Sequence, residues 1–477
     1  MKKLLLFCIP ALLFTTSCVD SLEEDFNVNP KAATKVPGTT LVSNAQRNLA
    51  RTMVSGSVNL NVFRLYVQQW AQTTYFDESV YDINTRNING AFWNALYRDV
   101  LRDLNEAKGL IQADNTLNAK VKANQLASIE VLEVYAWSTL VNTFGDIPYT
   151  QALDFNKSQP AYDDDKAIYN DLINRLNTAI GQFDASAEGL GGGDLLYHGD
   201  VSHWVMFANS LKLRMAMTIA DDDATKAKTM AEQAAGKVFK SNDDNAQVTF
   251  LDTPPNTNPL WEDLVQSGRK DYVGTSLFVG TLNDLKDPRL DEYFKPVGTT
   301  STYKGGVYGV NNSSTNFSNP GPALEEQTLP GVLMSYSQVE FLLADAASRG
   351  FNVGGTVASH YNAGVTASIL QWGNTQAEAT AYLLQPEVAY LTATGSAKDK
   401  IGRQEWIALY NQPVDAWTEV RRLDSPKLTA PTGARSALPI RLTYPIAEQN
   451  VNGANYAAAA SAIGGDKVES RIFWDKN

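Results

Sequence analysis

The stretch "WNALYRDVLRDLNEAKGLI", Trp93 to Ile111, places its apolar residues at Trp93, Tyr97, Val100, Leu101, Leu104, Ala107 and Ile111. That alternation of three- and four-residue steps puts one apolar stripe on one face of a helix, so the spacing predicts a helix packed against a partner. The next segment repeats the pattern at Leu126, Ile129, Leu132, Tyr135, Ala136 and Leu140 and stops at Gly145. A third, "SHWVMFANSLKLRMAMTIA", carries Trp204, Phe207, Ala208, Leu211, Met215 and Ile219, with Ser202 placed to cap it. Asp164 to Phe183, Ser337 to Arg349, Gly355 to Gln371 and Asp399 to Tyr410 behave alike. These are helices in antiparallel pairs. No strict 34-residue period recurs, so helix-turn-helix stacking is predicted without a regular array.

Between the helices the chain is irregular. Val248 to Gln266, Pro296 to Leu329 and Thr429 to Asn477 are rich in Pro, Gly, Asn, Ser and Thr. Long ordered loops on a rigid scaffold tend to be working surfaces. No linker interrupts the chain, so residues 41–477 are read as one domain.

The N-terminus reads as an export signal over residues 1–17, with Lys2 and Lys3 ahead of the apolar run Leu4 to Phe14. Cys8 leaves with that run, which makes Cys18 the only thiol of the mature chain. A lone cysteine makes no internal disulfide, and no spacing suits zinc. Its place directly after Thr15, Thr16 and Ser17 marks it as a lipid attachment point, the alternative being plain secretion with cleavage after Ser17. Residues 18–40, polar and broken by Pro30 and Pro37, read as a tether.

The formal charge is −12 and the pI near 4.9, and no Lys/Arg block is present. That balance argues against nucleic acid and against electrostatic binding to anionic lipid. Nine Trp, twenty Tyr and eighteen Phe exceed what helix stripes use, and a surplus in polar loops is what a sugar-stacking or peptide-gripping surface needs.

Catalytic chemistry finds little support. His198, His203 and His360 offer neither a triad nor an HExxH pair, and there is no GxSxG elbow. "GLGGGD", Gly189 to Asp194, lacks the Lys-Ser/Thr of a phosphate loop. Asp163 to Asp165 and Asp221 to Asp223 are acidic helix starts without calcium-loop spacing, so no cofactor is assigned and a structural calcium stays open. A carboxylate-based glycoside hydrolase is the remote alternative, since it needs only two acids across a cleft.

In order along the chain, "FNVNPKAATKVP", "NTFGDIPYTQAL", "YHGDVSHWVMFANSLKLRMAMTIA", "DPRLDEYF", "SYSQVEFLLADAASRG", "WIALYNQPVDAWTEVRR" and "RLTYPIAEQNVNGANY" resemble the SusD/RagB family of outer-membrane nutrient-binding lipoproteins, in its SusD-like branch. The resemblance implies a mainly α fold of four tetratricopeptide-like helix pairs with long irregular loops and little β structure. It implies a non-enzymatic binding role, with oligosaccharides or, alternatively, peptides delivered to a SusC/RagA-type TonB-dependent β-barrel transporter. It also implies an outer-membrane address, lipid-anchored and facing outward, for which the acids Asp20, Glu23, Glu24 and Asp25 resemble the export signal. The usual lipobox has Leu where this chain has Thr15, a departure that looser Bacteroidetes-type lipoboxes accommodate.

Most recognisable residues of these motifs read as structural. Gly145, Pro148 and Tyr149 shape a turn, Trp93, Trp204, Trp406 and Trp417 sit in helical periods, and Arg421 and Arg422 end a helix. Ligand residues are expected in three loops instead: Asp77, Tyr81, Asn84 and Arg86 in "YFDESVYDINTR", Trp261, Arg269 and Tyr272 in "NPLWEDLVQSGRKDY", and Tyr303 and Tyr308 in "STYKGGVYGVNN". Rings stack on apolar sugar faces while Asp, Asn and Arg bond hydroxyls. The competing role for Trp261 and Tyr81 is to pin long loops to the scaffold.

Overall fold

The computed structural model describes residues 36–476. The export signal, Cys18 and the tether up to residue 35 lie outside them. Helices carry the structure: α1 (Gly38–Val54), α2 (Ile88–Leu96), α3 (Arg102–Ala113), α4 (Ala119–Phe144), α5 (Asp165–Gln182), α6 (Val201–Thr218), α7 (Ala224–Ala234), α8 (Tyr336–Ser348), α9 (Val357–Gln371), α10 (Ala397–Ala408) and α11 (Pro413–Leu423). A π-helical turn, Tyr97–Leu101, joins α2 to α3, so the opening stretch is one rod with a bulge in the middle.

Four pairs form the scaffold: α4 with α5, α6 with α7, α8 with α9, and α10 with α11. Helix α8 also touches α6 and α10, and α5 touches α6, so the pairs stack on one another. The expected mainly α architecture is what the chain adopts. Trp93, Trp204, Trp406 and Trp417 are all buried, each withdrawing apolar surface worth roughly 2–3 kcal/mol. Helix α1 takes in Gly38 to Thr40, the last residues expected in the tether. Gly38 is needed there because a Cβ would stand 2.8 Å from Ile111 Cγ1 and 2.9 Å from the Ala107 carbonyl.

Helix ends are closed by side chains. Gly145, at φ 78°, ends α4, and Arg441 donates from Nε and Nη2 to the Phe144 carbonyl at 3.1 and 2.9 Å. Helix α6 is capped by Asp200, whose carboxylate accepts from the amides of Ser202 and His203, rather than by Ser202. A carboxylate one step earlier reaches two free amides and also meets the positive end of the helix. Arg421 and Arg422 do more than end α11. Arg421 lies over Trp417, and Arg422 is clamped between Glu419 and Asp345 in the core.

Among the described residues the β structure is three short antiparallel pairs: β1 (Trp70–Gln72) with β5 (Tyr272–Gly274), β2 (Ile147–Pro148) with β3 (Tyr162–Asp163), and β4 (Ala246–Val248) with β6 (Gly331–Met334). The first pair positions the candidate site. Its strand β1 is hung on the scaffold by Trp406 Nε1 donating to the Val67 carbonyl, Gln69 Nε2 donating to the Trp406 carbonyl, and Trp70 Nε1 donating to Tyr410 Oη, at 2.7 to 2.8 Å.

Candidate ligand-binding cleft

The three loops singled out in the sequence meet at this strand pair. Pairing of Ala71 with Val273 brings the first two together. A parallel bridge between Thr275 and Gly306 then sews on the third, and Asn312 ties it to the first by donating from Nδ2 to the Gln72 carbonyl at 3.0 Å.

Where the first two meet, beside the turn after α1, a cleft of about 360 Å³ opens, within the size range of small-ligand sites. Its floor is Tyr272, whose ring stacks on Trp70 at 4.8 Å and whose hydroxyl donates to the Gly56 carbonyl at 2.8 Å. Its walls carry Arg86 and Tyr75 on one side and Asp263, Ser267, Arg269 and Asp271 on the other, closed by Ser57 to Asn59 from the turn after α1.

Tyr75 stands out among the lining residues. It is 64% exposed while most aromatics of the chain are buried, and it holds φ 54°, a left-handed conformation costly for a residue with a Cβ. Gln72 fixes that conformation by donating from Nε2 to the Tyr75 carbonyl at 2.9 Å and to Glu78 at 2.7 Å. The Arg86 guanidinium lies 5.8 Å from the centre of the Tyr75 ring and pairs with the fully buried Glu78 at 3.2 Å. The result is a rigid, exposed ring with a charged edge. Burial raises the Glu78 carboxyl above its ordinary value, with Arg86 working against that rise.

Of the residues named from the sequence, Arg86, Arg269 and Tyr272 line the cleft. Asp77, 3.7 Å from Arg86, helps to orient it. The other five lie elsewhere. Tyr81 is 4% exposed, packed edge-on against Tyr66 at 5.6 Å, with its hydroxyl pushed up to about 12 by burial. That placement gives it the pinning role. Tyr308 and Tyr303 are half-buried against the core, Trp261 closes the short helical turn Pro259–Trp261, and Asn84 is exposed on the outer side of its loop. Tyr75, Asp263 and Asp271, in the same loops, also line the cleft, and residue type alone does not mark them. A Tyr directly after Thr73 and Thr74 was the available signal for the first.

Away from the cleft, Asp146, Asp164 and Asp165 each place one carboxylate oxygen within 4.8 Å of the others. Each already holds an amide: Asp146 accepts from Asp165 N, Asp164 from Ala167 N, and Asp165 from Phe473 N.

Residues 30–445 match the family described as "Starch-binding associating with outer membrane". The chain belongs to the SusD-like family. Among solved structures, this SusD-like chain is similar to a chitin-binding protein at 28% identity, with 92% of this chain and 100% of that one covered and a TM-score of 0.80. It is similar to a chitin-binding SusD homolog from Flavobacterium johnsoniae at 26%, covering 92% and 98%, with a TM-score of 0.78. A SusD homolog from Bacteroides uniformis matches at 25%, covering 92% and 99%, with a TM-score of 0.76. No curated protein matches the chain. As a SusD-like protein it is a nutrient-binding member of an outer-membrane-associated family, whose relatives are binding proteins. Among its described residues no helix is long and apolar enough to cross a membrane.

Proposed function

We propose that this protein is a cell-surface lipoprotein, anchored through Cys18 in the outer membrane, that binds oligosaccharides in the Tyr75 cleft and delivers them to a SusC/RagA-type TonB-dependent transporter. The observation that carries the reading is the Tyr75 ring, exposed and rigidly held above a cleft edged by Arg86, Arg269, Asp263 and Asp271. An exposed ring beside charged and hydroxyl side chains matches a sugar, which offers an apolar face and a rim of hydroxyls. The chitin-binding relatives support the same ligand class. The role is binding without turnover.

Incubating the purified protein with a panel of neutral oligosaccharides and with a peptide mixture tests this. Saturable calorimetric heat with a glycan and no release of reducing ends is expected. Heat with peptides alone would move the assignment to a peptide-binding member, and released reducing sugar would overturn a purely binding role. Mass measurement of the mature N-terminal peptide, expected to show a lipid-modified Cys18, checks the anchor.

A further inference from the structure

The charges around the cleft do not cancel. Arg269 spends its guanidinium on Asp271, from Nε at 2.6 Å and Nη2 at 3.1 Å. Arg86 is taken by Glu78 and Asp77. On the adjoining turn, Arg51 is held by Glu262 at 2.6 Å. Each of these three guanidiniums therefore already has an acid. Asp263 is left over: it lines the cleft, is largely withdrawn from solvent, and has no cation within ion-pairing distance among the described residues. Its carboxylate accepts from the Gly56 amide.

The groups facing it are Glu262 and Asp271, which repel its charge, and Arg51, which attracts it from within another pair. Burial first, and then those two acids, push the Asp263 carboxyl up to about 6. An ionised carboxylate left without a cation in a half-dry site is costly, and a cationic group brought by a ligand removes that cost.

We propose that the cleft prefers oligosaccharides bearing free amino groups, glucosamine-type units whose ammonium pairs with Asp263 while the sugar face lies on Tyr75. The inference rests on the oligosaccharide reading above and adds the sign of the ligand's charge. A lysine side chain would satisfy the acid equally. The exposed Tyr75 ring, with the hydroxyls of Ser57, Thr74 and Ser267 in the same walls, favours the sugar.

The test is calorimetric titration at pH 7 and low salt of the full chain and of Asp263→Asn, with two glucosamine oligomers of equal length, one fully N-acetylated and one fully deacetylated, and with an oligolysine of matched charge. Low salt is used because a pair open to solvent is screened. The wild type is expected to bind the deacetylated oligomer about tenfold tighter than the acetylated one. Asp263→Asn should remove that preference, so that the two oligomers bind it equally, and a cooperative thermal transition shows that the variant is folded. Equal affinity of the wild type for both oligomers, or a preference that survives Asp263→Asn, overturns the inference and leaves the oligosaccharide reading standing. Binding of neither sugar, or of oligolysine alone, overturns this inference, and the neutral-oligosaccharide panel then decides the oligosaccharide reading separately.

Discussion

Tyr75 and Tyr81 lie six residues apart in one loop and both hold positive φ, 54° and 69°, yet one ring is 64% exposed and the other 4%. Nothing in the residue types distinguishes them. A helix or strand assigns faces by its period, and this loop has none; its shape comes from Gln72 and Asn312, contacts with no mark in the local sequence. The chemistry of the loops was therefore legible and the orientation of individual rings was not. Asp263 carries a second prediction at this scale. Its carboxyl titrates near 6 in the folded protein against an ordinary 3.8, so the folded state holds the proton more tightly than the unfolded chain does. Its contribution is most favourable below 3.8 and is lost as pH rises through about 6. Asp263→Asn is thus expected to be more stable than wild type by roughly 1–3 kcal/mol at pH 7.5 and no more stable at pH 3.5. Thermal melting at the two pH values reads this, and an equal difference at both would contradict it.

Helical elements follow directly from apolar spacing, and the stripes of the Trp93–Ile111 rod and of α4 and α6 are buried except at Tyr97 and Leu126, which are half-buried against the core. Three-residue strands are another matter. β1 and β5 are buried on both faces, so they show no alternation from which a pairing could be read. The third loop's seam against Thr275, just after β5, depends on glycine. A Cβ at Gly305 would stand 2.1 Å from the Thr275 carbonyl oxygen. Gly305→Ala is expected to weaken glycan binding by about tenfold or more without touching the cleft, because the third loop can no longer close against β5. Unchanged affinity in a folded variant would separate that loop from the site. The motif "DPRLDEYF" has a scaffold role that the structure explains. Arg289 is fully buried, donates to both oxygens of Asp287, and reaches Ser368 on α9 at 2.8 Å and Gln404 on α10 at 3.1 Å. Arg289→Ala leaves Asp287 as an unpaired buried charge and is expected to cost about 3–5 kcal/mol in chemical denaturation. A cost under about 1 kcal/mol would show that the pair is dispensable.

At the scale of the molecule, four stacked helix pairs carry a set of loops whose first strand hangs on α10 through Trp406. The pairs were legible as helices in sequence. Their number followed from the family resemblance, because pair-to-pair contacts use the same apolar residues as contacts within a pair. A rigid scaffold with one edge of sewn loops suits a protein that holds a ligand, since no large rearrangement is needed to form the site. If a sugar is held in the Tyr75 cleft and not elsewhere on the loops, affinity turns on the Tyr75 ring. Calorimetric titration of a bound oligosaccharide with Tyr75→Ala and, as its matched control, Tyr303→Ala tests this most directly. Tyr75→Ala is expected to weaken binding at least about tenfold while Tyr303→Ala leaves it within about twofold. Full affinity in Tyr75→Ala, or its loss only in Tyr303→Ala, would contradict it.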